Sequence, residues 1–170
     1  LKLLDQELEN KIIQFAKSGL PIFATCAGLI ILANSVKNPE QRSLNLIDCS
    51  VFRNGFGRQI DSFITNDLSR TDSLTKLIND VLNNHKELQV LNGGLSKAEG
   101  VFIRAPRIES FGKSVEVLYN ITINGNEEPV MIKQDNILGA TFHPELSEGI
   151  NPEYYIFIEM ILNHHNKISN

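Results

Sequence analysis

The amino-acid sequence predicts an α/β protein whose sheet includes antiparallel pairing. Two observations carry this. Helical patterns stand on both sides of the short apolar run "PIFA" (21–24), and turn-linked strand patterns fill the later part of the chain. In order, Leu4, Leu8, Ile12 and Phe15 recur at helical spacings; Gly19 stops that helix and Pro21 lies just beyond. "PIFA" reads as a buried strand and 27–35 as the next helix. "LNLIDCSVF" (44–52) and "RQIDSFIT" (58–65) read as strands joined by the turn "RNGFG". Positions 71–84 form an amphipathic helix, with Leu74, Leu77, Ile78, Val81 and Leu82 on one face. "LNGGLSKAEG" (91–100) is a loop by composition. "VFIRAP", "SVEVLYNITI", "EPVMIKQ" and "ILGATF" supply strands, with turns "NGNE" and "QDN" between the last three. Asn151 as cap and Pro152 as first helical residue open a last helix to about His164. That helix is apolar almost all round, so the rest of the protein or a partner should cover it.

The 170 residues suffice for one domain with a proper core, and no repeat or internal boundary interrupts them. Apolar residues make up 42% and charged residues 21%, an ordinary globular composition. A net charge of −4 argues against nucleic acid or an anionic membrane as the main partner. No apolar run reaches the roughly 18 residues needed to cross a bilayer. Positions 1–10 lack a basic start followed by an apolar run, so no secretory signal is expected. Cys26 and Cys49 form neither a CxxC pair nor a metal-spaced set. A reducing, cytoplasmic setting without metal or cofactor follows as the expectation. The helical pattern begins without an initiator methionine, which fits a chain that starts inside a helix of a longer protein, or an artificial boundary.

Cys26 stands in "PIFATCAGLIILA" with only Ala24, Thr25, Ala27 and Gly28 within two residues of it. A strand that turns abruptly into a helix needs small residues at those positions, because strand and helix cross closely there. The helix N-terminus would then lower the thiol pKa, and the backbone of Ala27 would offer a donor to an oxyanion. A buried cysteine in a tight strand–helix corner fits the same pattern. A thiol nucleophile requires a base, and the base an orienting group. His85, His164 and His165 read as solvated surface residues. His143 follows the apolar "ILGATF" and opens "HPE". In an extended segment Glu145 would project to the same side as His143 and hold its imidazole in one tautomer. Alone, His143 fits a strand-end surface residue as well.

Four blocks, "TCAGLIILA", "RNGFGRQIDSF", "GVFIRAP" and "FHPELSE", stand in an order that resembles the glutaminase subunits of pyridoxal 5′-phosphate synthase, which are class I (triad) glutamine amidotransferases. The resemblance implies a three-layer, flavodoxin-like fold with a mixed sheet. It implies that Cys26 attacks the carboxamide of L-glutamine, that His143 moves the proton and that Glu145 steers His143. The ammonia would pass to a synthase subunit that builds pyridoxal 5′-phosphate. It further implies that Arg53, Ile103 and Arg104 bind glutamine, and a guanidinium does suit the α-carboxylate of that substrate. Either arginine fits an ordinary surface ion pair as well. Cys49 reads as a buried strand residue.

The chain departs from the family in three ways. Ala24 stands where the family has glycine, and it is still small. The stretch 66–99 is longer than expected, polar and helix-bearing, and reads as a surface insertion. The family's first strand with its Leu-Gln-Gly loop, and the later Pro-Gly-Gly-Glu-Ser loop that gives an oxyanion donor, do not occur, so 1–170 reads as one amidotransferase domain without its N-terminal segment. As it stands, such a piece is expected to be poorly soluble and inactive. Three other functions compete: an amidotransferase for another acceptor, a noncatalytic amidotransferase-fold partner that only stabilises a synthase, and a cysteine peptidase or hydrolase. "RNGFGRQ" argues against the first, and Cys26, His143 and Glu145 together against the second.

Overall fold

The computed structural model describes residues 5–56, 62–91, 98–148 and 151–169. The chain folds in three layers around a five-stranded sheet. Its strands are β1 (Ile22–Thr25), β5 (Ser69–Arg70), β8 (Glu116–Ile123), β9 (Asn126–Gln134) and β10 (Ile137–Ala140), in the order β1-β10-β9-β8-β5. β1 lies parallel to β10, and the other neighbours are antiparallel. The β8–β9 hairpin turns at Asn124 and Gly125, both with positive φ, as a two-residue turn that follows the sheet twist requires.

Alternation along the strands sorts side chains into two cores. In β10, Leu138 and Ala140 face one core, and Ile137 faces the other. The first core is covered by α3 (Asp72–Asn84) and α4 (Pro152–Ile168), with Leu74, Ile78, Val81, Leu82 and Ile156 buried. Thr71 caps α3: its Oγ1 accepts the Leu74 N–H and donates to the Val117 carbonyl, tying the helix start to β8. Within the 66–99 stretch read as a surface insertion, Leu68 and the buried face of α3 instead supply one wall of this core. The second core lies under α2 (Ala27–Leu32) and a three-stranded sheet in the order β2-β3-β7, from β2 (Ala33–Lys37), β3 (Ile47–Phe52) and β7 (Arg107–Phe111). A separate antiparallel pair joins β4 (Ser62–Thr65) to β6 (Gly100–Ile103). α1 (Gln6–Lys17) is capped by Asp5, whose Oδ1 accepts the Leu8 N–H at 2.8 Å, and Gly19 closes it at φ +81°.

Several elements differ from the sequence reading. The predicted helix 27–35 ends at Leu32, and the chain continues as β2, because Ala33 and Val36 are buried while the backbone pairs in parallel with β3. β3 and β4 are joined in sequence but are not partners; β3 pairs with β2 and β7. Of the apolar positions at helical spacing in α1, Leu8 and Phe15 are exposed and Ile12 packs on the second core; the buried positions are Glu9 and Ala16, and Glu9 is held by Arg42 at 2.6 Å. Asn151 precedes α4 but makes no side-chain cap, its amide being engaged elsewhere. α4 runs on to Ile168 and leaves Ile158, Ile161 and Leu162 exposed among the described residues. His85 is half-buried and paired with Glu159 at 2.7 Å, which links α3 to α4. Residues 57–61 of the "RNGFG"–"RQI" stretch and 92–97 of the predicted loop lie outside the described residues.

Candidate active site

The C-terminal ends of the parallel pair β1 and β10 come together at Cys26. Thr25 stands opposite Ala140, and the Cys26 N–H donates to the Ala140 carbonyl at 2.9 Å. The chain then reverses into α2 with Cys26 at φ +45°. A non-glycine residue held there costs of order 1–3 kcal/mol, and the packing around it maintains the strain. That packing explains the small neighbours. A Cβ on Gly28 would stand 3.3 Å from the Ala24 Cβ, and one on Gly139 would meet Leu29 Cδ1 at 2.7 Å. The helix therefore sits almost directly on β1 and β10.

The half-buried Cys26 thiol lies 3.8 Å from the Ile103 carbonyl oxygen at the end of β6. Burial pushes its pKa up, the Ala27 amide pulls it down, and the charge of Glu145 pushes it up again; the net direction is upward. The helix terminus acts in the expected sense, but desolvation outweighs it. Cys49 is 1% exposed, and its thiol is pushed up to about 12 by burial and by Asp48.

Past β10, Thr141 and Phe142 are fully buried and deliver His143 to the same end of the sheet. The His143 N–H donates to the Val101 carbonyl at 2.8 Å, so β6 touches both the cysteine and the histidine segments. His143 Nδ1 and Glu145 Oε1 are 2.7 Å apart. The expected extended "HPE" is instead a 3₁₀ turn, Pro144–Leu146, in which Leu146 N–H reaches back to the His143 carbonyl. Proline fits the first turn because its missing N–H would have no partner there. Glu145 still reaches the imidazole, by a turn rather than by strand alternation. With Nδ1 engaged by a carboxylate, Nε2 is the nitrogen left for other chemistry. Among the described residues no hydrogen bond joins Cys26 to His143.

Arg53 opens the turn after β3, and Arg104 follows β6 at φ +46°. The two loops are in contact: the Gly55 N–H donates to the Ala105 carbonyl at 3.2 Å. A Cβ on Gly55 would lie 2.0 Å from the Arg107 Cβ and 2.5 Å from its backbone nitrogen, so only glycine permits this approach. Arg107 is engaged with Glu128 at 2.7 Å, whereas Arg104 is exposed. Ile103, whose carbonyl meets the thiol, is 40% exposed.

Over residues 2–163 the chain matches the SNO glutamine amidotransferase family. It belongs to that family. It is 36% identical over 159 residues to a protein of Thermotoga maritima named pyridoxal 5′-phosphate synthase subunit PdxT, covering 94% of this chain and 71% of that one. A protein of the same name from Desulforamulus reducens is 38% identical over 161 residues, covering 94% and 72%. A crystal structure of a glutamine amidotransferase superposes with a TM-score of 0.66 at 33% identity, covering 91% of this chain and 68% of the other. The three-layer mixed fold is accordingly that of the class I glutamine amidotransferases. No described helix is long and apolar enough to cross a membrane, and no described cluster of His, Cys, Asp or Glu has metal-site geometry.

Within this family member, two contributions at the site escape sequence reasoning. The Ile103 carbonyl on the thiol is a backbone group with no side-chain signature. Tyr154, in the first turn of α4, places its ring edge-on to Phe23 at 6.0 Å, and its hydroxyl is pushed up in pKa by burial and by the nearby Glu145. It lay hidden inside a helix that reads as apolar almost all round.

Proposed function

We propose that the chain is the glutaminase of a pyridoxal 5′-phosphate synthase and works through Cys26, His143 and Glu145. Cys26 Sγ attacks the carboxamide carbon of L-glutamine, and its proton moves to His143 Nε2. The tetrahedral oxyanion is met by the Ala27 N–H. His143 then returns the proton to the leaving nitrogen, the C–N bond breaks, and ammonia departs from a glutamyl thioester. Water, deprotonated by His143, cleaves the thioester to glutamate and regenerates the thiol. Glu145 holds Nδ1–H and stabilises the imidazolium. Arg53 and Arg104 meet the α-carboxylate, and Ile103 lines the substrate between them and the thiol. The ammonia passes to the synthase subunit. In this reading 1–170 is one amidotransferase domain that works in the cytoplasm, where Cys26 stays reduced.

The observation that most supports the reading is the strained Cys26 at the end of β1, beside the strand that carries a histidine and a carboxylate 2.7 Å apart. The raised thiol pKa fits an enzyme that is quiet until its partner docks. The test measures ammonia release from glutamine by the protein carrying the family's N-terminal segment, with and without the synthase subunit. Docking should raise the rate markedly, and Cys26→Ala should abolish it while Cys49→Ala leaves most of it. Hydrolysis that survives Cys26→Ala removes the proposed nucleophile.

A further inference from the structure

A polar cluster is buried directly behind the His143–Glu145 corner. Its centre is Glu153, in the first turn of α4, which is 1% exposed and whose Oε2 has no hydrogen-bond partner among the described residues. Arg70 of β5 and Tyr119 of β8 are cross-strand neighbours; the Arg70 charge acts on Glu153, and the Glu153 charge in turn acts on the Tyr119 hydroxyl. Arg70 Nε and Nη2 and the Tyr119 hydroxyl are likewise buried without a well-formed hydrogen bond. Replacing a buried ion pair by apolar residues is often neutral or stabilising, so stability alone does not account for this cluster.

Its connections point to a role at the site. Asn151 Nδ2, two residues before Glu153, donates to the Pro144 carbonyl at 2.9 Å. The Tyr119 ring meets Phe142, the residue before His143, at 6.4 Å. Tyr154, the residue after Glu153, packs on Phe23, three residues before Cys26. The turn that carries Glu153 thus touches the histidine arm through Asn151 and the cysteine strand through Tyr154, and Tyr119 of the same cluster touches the arm from β8.

The geometry points to Glu153, set between Arg70 and Tyr119, as a positioning residue for the His143–Glu145 arm. The inference rests on the reading of His143 as the base. When Glu153 is drawn to Arg70, the first turn of α4 is held down on the sheet, and Asn151 and Phe142 fix the arm in turn. Burial raises the Glu153 carboxyl to about 7, Arg70 opposing, so both protonation states are populated near neutrality. The groups facing it are Arg70 from β5, Tyr119 from β8 and Tyr154 on α4 itself, with Glu145 acting on Tyr154 from the adjoining turn.

The experiment compares Glu153→Ala and Glu153→Gln in the protein mixed with its synthase partner. It reads kcat and KM for glutamine from about pH 6 to about pH 8.5, and hydrogen exchange of the amides at His143, Glu145 and Leu146. Glu153→Ala should lower kcat by about tenfold to a hundredfold, the scale of a small misplacement of a catalytic group, with KM within about twofold, and should speed exchange at those amides. Glu153→Gln mimics the protonated acid. It should match native kcat at about pH 6 and fall progressively below it as pH rises to about 8.5, because only the native carboxyl ionises and engages Arg70; the ratio of the two profiles cancels what the His143 base contributes to both. Native kcat in Glu153→Ala, or a native-to-variant kcat ratio for Glu153→Gln that stays flat from about pH 6 to about pH 8.5, overturns the inference, and the second result decides even if the alanine variant does not fold. A native protein with no glutaminase activity instead overturns the proposed function. The exchange measurement still decides the positioning role, because unchanged exchange in Glu153→Ala refutes it.

Discussion

Gly55→Ala tests how the two arginine loops are held together. The added methyl carbon would lie 2.0 Å from the Arg107 Cβ, 2.5 Å from its nitrogen and 2.8 Å from its Cα. Carbon atoms settle at about 3.5–4.0 Å, and two of these three obstacles are backbone, so rotamer changes cannot relieve the clash. The turn at Arg53 must retreat by about 1.5 Å to reach ordinary contact. Overpacking of this kind costs about 1–3 kcal/mol. The retreat also breaks the 3.2 Å bond from Gly55 N–H to the Ala105 carbonyl, for about another 1 kcal/mol. A total of about 2–4 kcal/mol corresponds to a fall in Tm of roughly 5–15 °C for a chain of this size. The same retreat carries Arg53 away from Arg104. Calorimetry together with glutaminase kinetics in the presence of the synthase partner should show a lower Tm and a KM raised about tenfold, the scale of one weakened charge-assisted contact, with kcat near native. A native Tm with native KM would refute both the close approach and the assignment of these loops to the substrate.

Two further outcomes follow. Arg104→Gly removes a guanidinium and relieves a non-glycine φ of +46°; stability should stay level or rise by about 1 kcal/mol while KM rises about tenfold or more, and a loss of stability with KM unchanged would contradict this. Glu153 is held at about 7 in the fold against 4.5 for an ordinary glutamate, so the native protein binds the proton more tightly than the unfolded chain does. The stability this contributes is present below about pH 4.5 and is lost as pH rises through about 7, amounting to about 3 kcal/mol. Denaturant titrations of native protein and Glu153→Gln should therefore diverge in favour of the variant across that window, and parallel curves would contradict the raised value.

The local parts of this structure were legible because their signals are local. Small residues around Cys26 announce a close strand–helix crossing, and Gly28 against Ala24 at 3.3 Å is that crossing. Thr71 with the apolar face of α3, and Asn124-Gly125 between alternating strands, are equally self-contained. What was not legible depends on partners distant in sequence. Residues 33–37 follow a helix without a break and become β2 only because β3 lies alongside, and "RIESF" is a strand because β3 is there to pair with it. The apolar stripe of α1 is split for the same reason: Ile12 packs on the second core beside the buried Glu9 and Ala16, while Leu8 and Phe15 are exposed. At the site, the pairing of His143 with Glu145 could be read from their spacing, although a 3₁₀ turn makes it. The Ile103 carbonyl, and the meeting of Arg70, Tyr119 and Glu153 from three separate elements, leave no pattern in a linear sequence.

The central claim is that Cys26 is the nucleophile, activated within a glutamine-shaped site. The most direct measurement treats the protein, with its synthase partner, with a glutamine-like diazoketone and maps the alkylated peptide by mass spectrometry. The account predicts modification of Cys26 alone, slowed by excess L-glutamine and by His143→Ala, with Cys49 untouched because it is buried and its thiol is pushed up to about 12. Equal labelling of both cysteines, or labelling of Cys26 that glutamine does not slow, would contradict it.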